Sequence, residues 1–160
     1  MTLENIDLEN IKVLYGQSSP NFSGRELRYN KAGDRNVCLL LPMDIAERMG
    51  SLGWNVKFPK DPDSGQLPFI QVSTNYNCSP RLRPKIHMIT GNNDIFLTEK
   101  NLHLLDEANI LYVDVTLRDR EWEPGRHKAY VDTMYAVVQE NRFAEKYRNR
   151  MTPRDGEDVI

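Results

Sequence analysis

The sequence is poor in the residues that build disulfide frameworks and metal sites. Its 160 residues include two cysteines, Cys38 and Cys78, which are too far apart for a metal-ligand pattern. Its three histidines, at positions 87, 103 and 127, are scattered and form no H-x-x-x-H pair. A zinc site is therefore not expected, and a reducing compartment is the simplest reading of the cysteine content. His87, between Ile86 and Met88, is interpreted as a strand residue.

Long hydrophobic runs are also missing. No apolar stretch approaches the roughly 20 residues that a membrane-spanning helix needs. The first ten residues contain Glu4, Asp7 and Glu9 instead of a basic segment followed by an apolar one, so no secretory signal is expected. These absences predict a cytoplasmic protein without a membrane partner.

Catalytic motifs are equally scarce. The sequence has neither the G-x-x-x-x-G-K-[ST] loop that holds nucleotide phosphates nor the G-x-S-x-G turn of a serine nucleophile. Asp34, Asp114 and Asp132 could in principle meet as metal-binding carboxylates of a nuclease. Asp34 belongs to a turn, however, and Asp114 alternates with polar strand neighbours, where salt bridges are common. The sequence favours a non-enzymatic protein without cofactor or metal.

The charge that is present is unevenly distributed. The formal net charge of −2 combines −3 in residues 1–10, +3 in residues 11–150 and −2 in residues 151–160. A mildly basic body between acidic ends suits an anionic partner, although solvated tails also explain both ends. If the last ten residues are mobile, they are expected to compete with phosphate for the basic surface, so that their removal would tighten binding at low salt.

The stretch from position 33 to 58 is the predicted organising unit. Its apolar block 37–41 predicts a buried strand, and Pro42 starts a helix with apolar residues at helical spacing. Gly50 and Gly53 are predicted to end that helix, and residues 54–58 to alternate as a half-exposed strand. Trp54 is then expected in the core rather than on a base, while Lys57 faces outward toward phosphate.

Alternation of apolar and polar residues predicts six further strands, at 11–15, 67–76, 84–89, 95–97, 109–118 and 128–138. A helical turn is predicted from Thr98 through Leu105, and a closing helix at 142–148 that is capped by Asn141. In the last two strands the inward residues are predicted as Leu111, Val113, Val115 and Leu117, and as Ala129, Val131, Thr133, Tyr135 and Val137.

Seven or eight short strands with few helices and no βαβ rhythm predict a mainly β fold. An OB-like antiparallel Greek-key barrel over residues 11–150 is the favoured architecture, with a β-sandwich as the alternative. The acidic segments 1–10 and 151–160 then flank a single domain.

Several short motifs, in this order, resemble those of one family. They are Asn21-Phe22-Ser23-Gly24, Gly33-Asp34-Arg35-Asn36, Gly53-Trp54-Asn55-Val56-Lys57, Val113 to Arg118 with Glu121-Trp122-Glu123, and Ala129-Tyr130 with Met134-Tyr135. Over residues 11–147 the chain resembles phage and prophage proteins that are similar to OB-fold single-stranded-DNA-binding proteins. The resemblance implies a protein of the bacterial host cytoplasm that coats exposed single strands during replication and recombination.

The predicted mechanism joins that resemblance to the basic and aromatic residues. Cationic side chains would neutralise phosphates and rings would stack on bases without reading sequence. Trp122 is not predicted to bind DNA because glutamates flank it, and it is expected to pack against the barrel or a partner. The candidate DNA-binding residues are Lys12, Phe22, Arg25, Arg28, Tyr29, Lys31, Arg35, Lys57, Phe69, Tyr76, Arg81, Arg83, Lys85, Tyr112 and Tyr130.

The sequence leaves alternatives for the function and for the oligomeric state. The rival function is a non-enzymatic phage module that acts on a host or phage protein. Single-stranded-DNA-binding proteins of phages often end in an acidic tail with a terminal aromatic residue, whereas residues 155–160 are acidic without an aromatic. Replication or recombination proteins are the expected partners of this tail. A homodimer is one alternative for the oligomeric state.

Overall fold

A computed structural model describes residues 2–16, 18–27 and 30–140. Its centre is a closed five-stranded barrel. The barrel strands are β1 (Ile6–Val13), β2 (Asn36–Leu40), β3 (Phe69–Ser73), β6 (Ile110–Glu123) and β7 (Arg126–Val138). They follow the order β1-β2-β3-β7-β6 and return to β1, which confirms the predicted OB-like barrel.

Two pairings of the sheet are parallel, which the alternation in the sequence does not reveal. One closes the barrel, because β3 runs parallel to β7 with Val72 opposite Ala129. The other attaches β4 (Lys85–Thr90) to β7, and β5 (Asn93–Leu97) then pairs antiparallel with β4 at the edge of the sheet. The predicted strands at 84–89 and 95–97 are thus confirmed within one or two residues.

The stretch 33–58 holds the single α-helix of the described residues, α1 (Met43–Leu52), which buries Ala46 and Met49. The helix ends at Gly53, whose φ of 111° favours glycine. Gly50 lies inside the helix, so the predicted stop there is wrong. The predicted strand at 54–58 is also wrong, since this segment contributes only an isolated bridge between Lys57 and Phe69. Trp54 is buried, as predicted.

The long hairpin is more extended than predicted. β6 continues through Trp122 to Glu123, and Pro124-Gly125 alone forms the turn, because the ladder of β6 with β7 persists to the pair Glu123–Arg126. Two of the three register shifts in the β6–β7 ladder change which side chains face the core. The first leaves Leu111 exposed, and after the second the buried residues of β7 are Met134, Ala136 and Val138. The predicted inward positions of Leu111, Thr133, Tyr135 and Val137 are therefore wrong.

The first strand starts earlier than predicted. β1 begins at Ile6, and Ile6 and Leu8 pack in the core, so residues 6–10 belong to a barrel strand. The other short elements are 3-10 helices, η1 (Pro62–Ser64), η2 (Pro80–Leu82) and η3 (Leu102–Asp106), the last with Asn101 rather than Thr98 at its N-cap. The predicted closing helix at 142–148 lies outside the described residues. No helix in the described ranges is long and apolar enough to cross a membrane.

Candidate nucleic-acid interface

A groove of about 1410 Å³ lies where β3 meets the β6–β7 hairpin. Its lining includes four basic side chains, those of Lys57, Arg120, Arg126 and Lys128. None of the described residues that line it is aspartate or glutamate. A groove with several cations and no lining acid attracts an anion, and a polyanionic strand most of all.

The parallel seam between β3 and β7 explains why these side chains converge. Because Ile70 and Val72 are buried, alternation turns Phe69, Gln71 and Ser73 of β3 outward. Ser73 lies opposite Tyr130 of β7. The outward residues of β3 therefore continue directly into the outward face of the hairpin.

Two cations oppose each other on that hairpin. Arg120 of β6 pairs in register with Lys128 of β7, and both residues are exposed. Neither has an acidic partner among the ion pairs of the described chain. Like charges at opposite positions of a β ladder are destabilising, so an anion bound between them would relieve their repulsion.

Aromatic rings line the same groove. Trp122 is 53% exposed, and the guanidinium of Arg126 lies 5.7 Å from its ring centroid. Phe69 is half-buried and therefore presents part of its ring. Tyr130 is buried, and its ring is approached by Arg118 and Lys128, each at 5.6 Å. Trp122 and Phe69 thus present ring surface to the groove, whereas the ring of Tyr130 is in contact with two cationic side chains.

A hydrogen bond between His127 and the buried carboxylate of Asp119 holds the hairpin in place close to its turn. Nδ1 of His127 lies 2.8 Å from Oδ2 of Asp119, and the same oxygen accepts a hydrogen bond from the backbone N–H of Leu3 at 2.9 Å. Asp119 is buried, so its charge is held beneath the surface and shared by two donors. Arg126, which lines the groove, forms an ion pair at 3.4 Å with Glu123, which does not. The tip is therefore held in place by contacts that leave the groove lining basic.

Comparison with known proteins gives one match. Residues 1–159 match a family model described as "Putative phage ssDNA-binding domain". The chain belongs to this family of phage single-stranded-DNA-binding domains. No curated protein and no solved structure shows significant similarity to it.

The groove of this phage domain brings together three of the predicted site residues, Lys57, Phe69 and Tyr130. A smaller recess at its side, which shares Tyr130, contains a fourth, Arg35. Tyr76 is adjacent, because the guanidinium of Arg35 lies 5.9 Å from its ring centroid. The participation of these residues in binding stays a prediction.

Phe22 does not fit its predicted role. Its side chain is completely buried in the core, so no ring face is available to a base. The loop is drawn inward by Asp106, whose carboxylate accepts the backbone N–H groups of Phe22 and Ser23 at 2.7 and 2.9 Å. The structure assigns Phe22 to packing rather than stacking.

The other candidates lie outside the groove lining or outside the described residues. Arg25 is exposed, with Nη2 4.0 Å from Oδ2 of Asp106. The basic window around η2 adjoins β6, because the backbone oxygen of Leu82 accepts a hydrogen bond from Arg118 at 3.1 Å. The candidates that do not line the groove are Lys12, Arg25, Lys31, Arg81, Arg83, Lys85 and Tyr112. Arg28 and Tyr29 lie outside the described residues.

Four groove residues escaped the sequence analysis, namely Arg120, Trp122, Arg126 and Lys128. Arg120, Trp122 and Arg126 lie between the predicted strands 109–118 and 128–138, Lys128 is the first residue of the second strand, and glutamates flank Trp122. A signal was present in the alternation on both sides of Pro124-Gly125, with Arg120 and Trp122 spaced by two before it and Arg126 and Lys128 after it. That pattern places the basic and aromatic residues on one face of a two-residue hairpin.

The residues considered for metal chemistry do not form a site. In residues 2–16, 18–27 and 30–140, no three His, Cys, Asp or Glu side chains are grouped to hold a metal ion. Asp114 instead accepts the backbone N–H of Asn10 at 2.8 Å. His87 lies in β4, where it stacks on Tyr135 with ring centroids 4.4 Å apart, as expected of a strand residue. Cys38 is buried at the edge of the groove, and burial raises the pKa of its thiol, with a smaller opposing effect from a hydrogen bond with Ser19, so the reactive thiolate is disfavoured.

Proposed function

We propose that this domain binds single-stranded DNA in the groove between β3 and the β6–β7 hairpin, chiefly through phosphates and base stacking. The observation that carries the proposal is the composition of the groove, four cations and exposed rings with no acid among its described lining residues. Membership of the phage family supports the same partner. Catalysis has no part in this mechanism.

The cations supply the first part of the binding energy. Arg120 and Lys128 face each other across the hairpin, and Lys57 lies across the groove on the segment that bridges to β3. A strand laid along this groove would place phosphates near these cations and release their counterions. Because the cations are exposed before binding, little desolvation of buried charge is required.

The rings distinguish single strands from duplexes. Trp122 projects from the hairpin, and Phe69 is half-buried in the opposite wall. A ring in a groove wall can stack only on a base that is free to leave its neighbours, and duplex pairing holds bases in the helix interior. We therefore infer a preference for single-stranded over duplex DNA.

The biological role follows from that chemistry. A protein that covers phosphates and bases without cutting them would coat and protect strands exposed during phage replication or recombination in the bacterial cytoplasm. The acidic segment 151–160 would then be available to recruit replication or recombination proteins. These roles rest on single-strand binding, which is the property to test first.

Fluorescence anisotropy with labelled oligo(dT) and a duplex of equal length tests the proposal. We expect tight binding of the single strand and much weaker binding of the duplex. Replacement Trp122→Ala should weaken single-strand binding by about five-fold or more, since stacking contributes roughly 1–3 kcal/mol per base. A variant that removes an exposed lysine away from the groove, Lys100→Ala, is the control.

Intrinsic fluorescence separates stacking from general loss of affinity. Trp54 is 5% exposed and Trp122 is 53% exposed, so quenching by bound DNA should come from Trp122. The variant Trp122→Phe should bind with little quenching. If oligo(dT) does not bind, or duplex binds equally well, the proposed function is wrong and a protein-interaction role becomes the better explanation.

A further inference from the structure

The groove has a polar side recess of about 420 Å³, between β3 and the loops that flank β2. Ligand pockets have volumes of about 300–1,000 Å³, so this recess is large enough for one small group. It shares Gln71, Ser73, Arg120, Lys128 and Tyr130 with the groove. A strand held by Arg120 and Lys128 can therefore direct one of its bases into the recess.

The lining of the recess differs in chemistry from that of the groove. Five side-chain amides line it, those of Asn30, Asn36, Gln71, Asn75 and Asn77. Such amides hold both a donor and an acceptor and are suited to reading the edge of a base. Stacking and phosphate contact do not require so many amides in one place.

The hydrogen bonds of the recess show which amides remain available. Asn36 Nδ2 donates to Oδ1 of Asn30, and Asn30 Nδ2 donates to the backbone oxygen of Ser18 at 3.2 Å. Asn75 Oδ1 accepts the backbone N–H of Asn77 at 3.0 Å. These three side chains are therefore engaged in shaping the recess.

Gln71 and Asn77 are different. Both are exposed, and within the described part of the chain neither side chain has a hydrogen-bond partner. Thr74, between them in the chain, is 3% exposed and faces the core, so its hydroxyl is not available to a ligand. The recess thus presents two ready amides, those of Gln71 and Asn77.

We propose that the recess reads one base of the bound strand, and that the base is adenine. An asparagine or glutamine amide pairs in bidentate fashion with adenine, whereas guanine is read by arginine or lysine. Of the basic residues that line the recess, Arg120 and Lys128 are assigned to phosphates in the proposed binding mode. Arg35 is a poor reader of guanine, because its Nη1 donates to the Phe22 backbone oxygen at 2.9 Å and its Nη2 pairs with Glu99 at 3.3 Å. This inference rests on the proposed single-strand binding and adds a base preference at one position.

Competition binding with 15-nucleotide oligomers tests the preference. The strands are oligo(dT) and the same strand with a single central dA, dC or dG, so that stacking within the free strand stays nearly constant. We expect the dA strand to bind about five-fold tighter or more, since a bidentate amide–base pair discriminates by roughly that factor at least.

Variants locate the preference. Gln71→Ala with Asn77→Ala should abolish the advantage of the dA strand. Asn77→Ala alone should reduce that advantage while oligo(dT) affinity changes less than about two-fold, because Asn77 lines the recess and not the groove. Asn55→Ala is the matched control, because Asn55 is an exposed amide that lines the groove and not the recess. That variant should keep the preference.

The outcomes separate the two proposals. Equal binding of all four strands by the unaltered protein, or a dA preference that survives the double substitution, overturns the adenine site and leaves single-strand binding intact. Failure of every strand to bind overturns both proposals.

Discussion

The groove cations can be tested through the salt dependence of binding. For single strands, the logarithm of the association constant falls with the logarithm of salt by about 0.7 for each phosphate neutralised. If the four groove cations each neutralise one phosphate, the slope is about −2.8, and affinity falls about 50-fold between roughly 50 and 200 mM salt. The double variant Arg120→Gln with Lys128→Gln removes two contacts. Its slope should be about −1.4, which corresponds to about a seven-fold fall over the same range.

The control for this experiment uses the basic window that the sequence singled out. Arg81→Gln with Arg83→Gln removes the same charge from exposed positions that do not line the groove. Anisotropy titrations with oligo(dT) at four or five salt concentrations give both slopes. The control slope should stay near that of the unaltered protein. An unchanged slope in the groove variant, or an equal flattening in the control, would refute the assignment of phosphate contacts to the groove.

Two further predictions concern stability. Phe22→Ala should lower the free energy of unfolding by about 3–5 kcal/mol in urea titrations, because the ring is completely buried; reduced DNA affinity at unchanged stability would instead restore a stacking role. Burial raises the pKa of Tyr76 to about 12, with Arg35 opposing and Glu99 adding to the shift. The neutral phenol is therefore favoured in the folded state, and its contribution to stability, intact below about pH 10, is lost as the pH rises toward 12. Tyr76→Phe should remove this loss of stability at alkaline pH. It should also stabilise the protein by about 1 kcal/mol at neutral pH, because the buried hydroxyl has no hydrogen-bond partner among the described residues. Equal dependence of the unfolding free energy on alkaline pH in the two proteins would contradict this.

The barrel could be predicted because its strands alternate strongly. Ile70, Val72 and Thr74 face inward as expected, and so do Val113 and Val115. Alternation identifies a buried face, but it carries no information on which strand lies alongside. The parallel pairing of β3 with β7 is a contact between segments distant in sequence, so local patterns could not predict it.

The bulges explain the errors in the last hairpin. A register shift between Thr116 and Leu117 changes which side chains of β7 point toward the core, so that Met134 is buried while Tyr135 is 40% exposed. A one-residue slip turns every later side chain to the opposite face. The tip of the hairpin was missed for a different reason, since a strand exposed on both sides lacks an apolar face by which to recognise it.

Prediction of the groove lining from the sequence succeeded where basic or aromatic residues lay on the outward side of a segment that reaches the seam, as Lys57 and Phe69 do; their role in binding stays a prediction. It failed where a residue was judged by its neighbours in sequence. Phe22 lies among basic residues, yet the Asn21–Asn36 bridge and the Asp106 carboxylate turn it into the core. Trp122 lies between glutamates, yet it lines the groove because alternate residues of a strand face opposite ways.

The distribution of paired and unpaired charges around the groove is the strongest physical argument for an anionic ligand. At the hairpin tip and base, Arg126 pairs with Glu123, and Asp119 accepts hydrogen bonds from His127 and Leu3. Lys57, Arg120 and Lys128 form no ion pair within the described residues, although Arg120 and Lys128 are in register and repel each other. Within the groove, Arg126 is compensated by Glu123 whereas Arg120 and Lys128 repel each other, so a bound anion lowers the energy of the folded protein. A polyanion that spans the groove satisfies all three cations at once, which a single small anion cannot do.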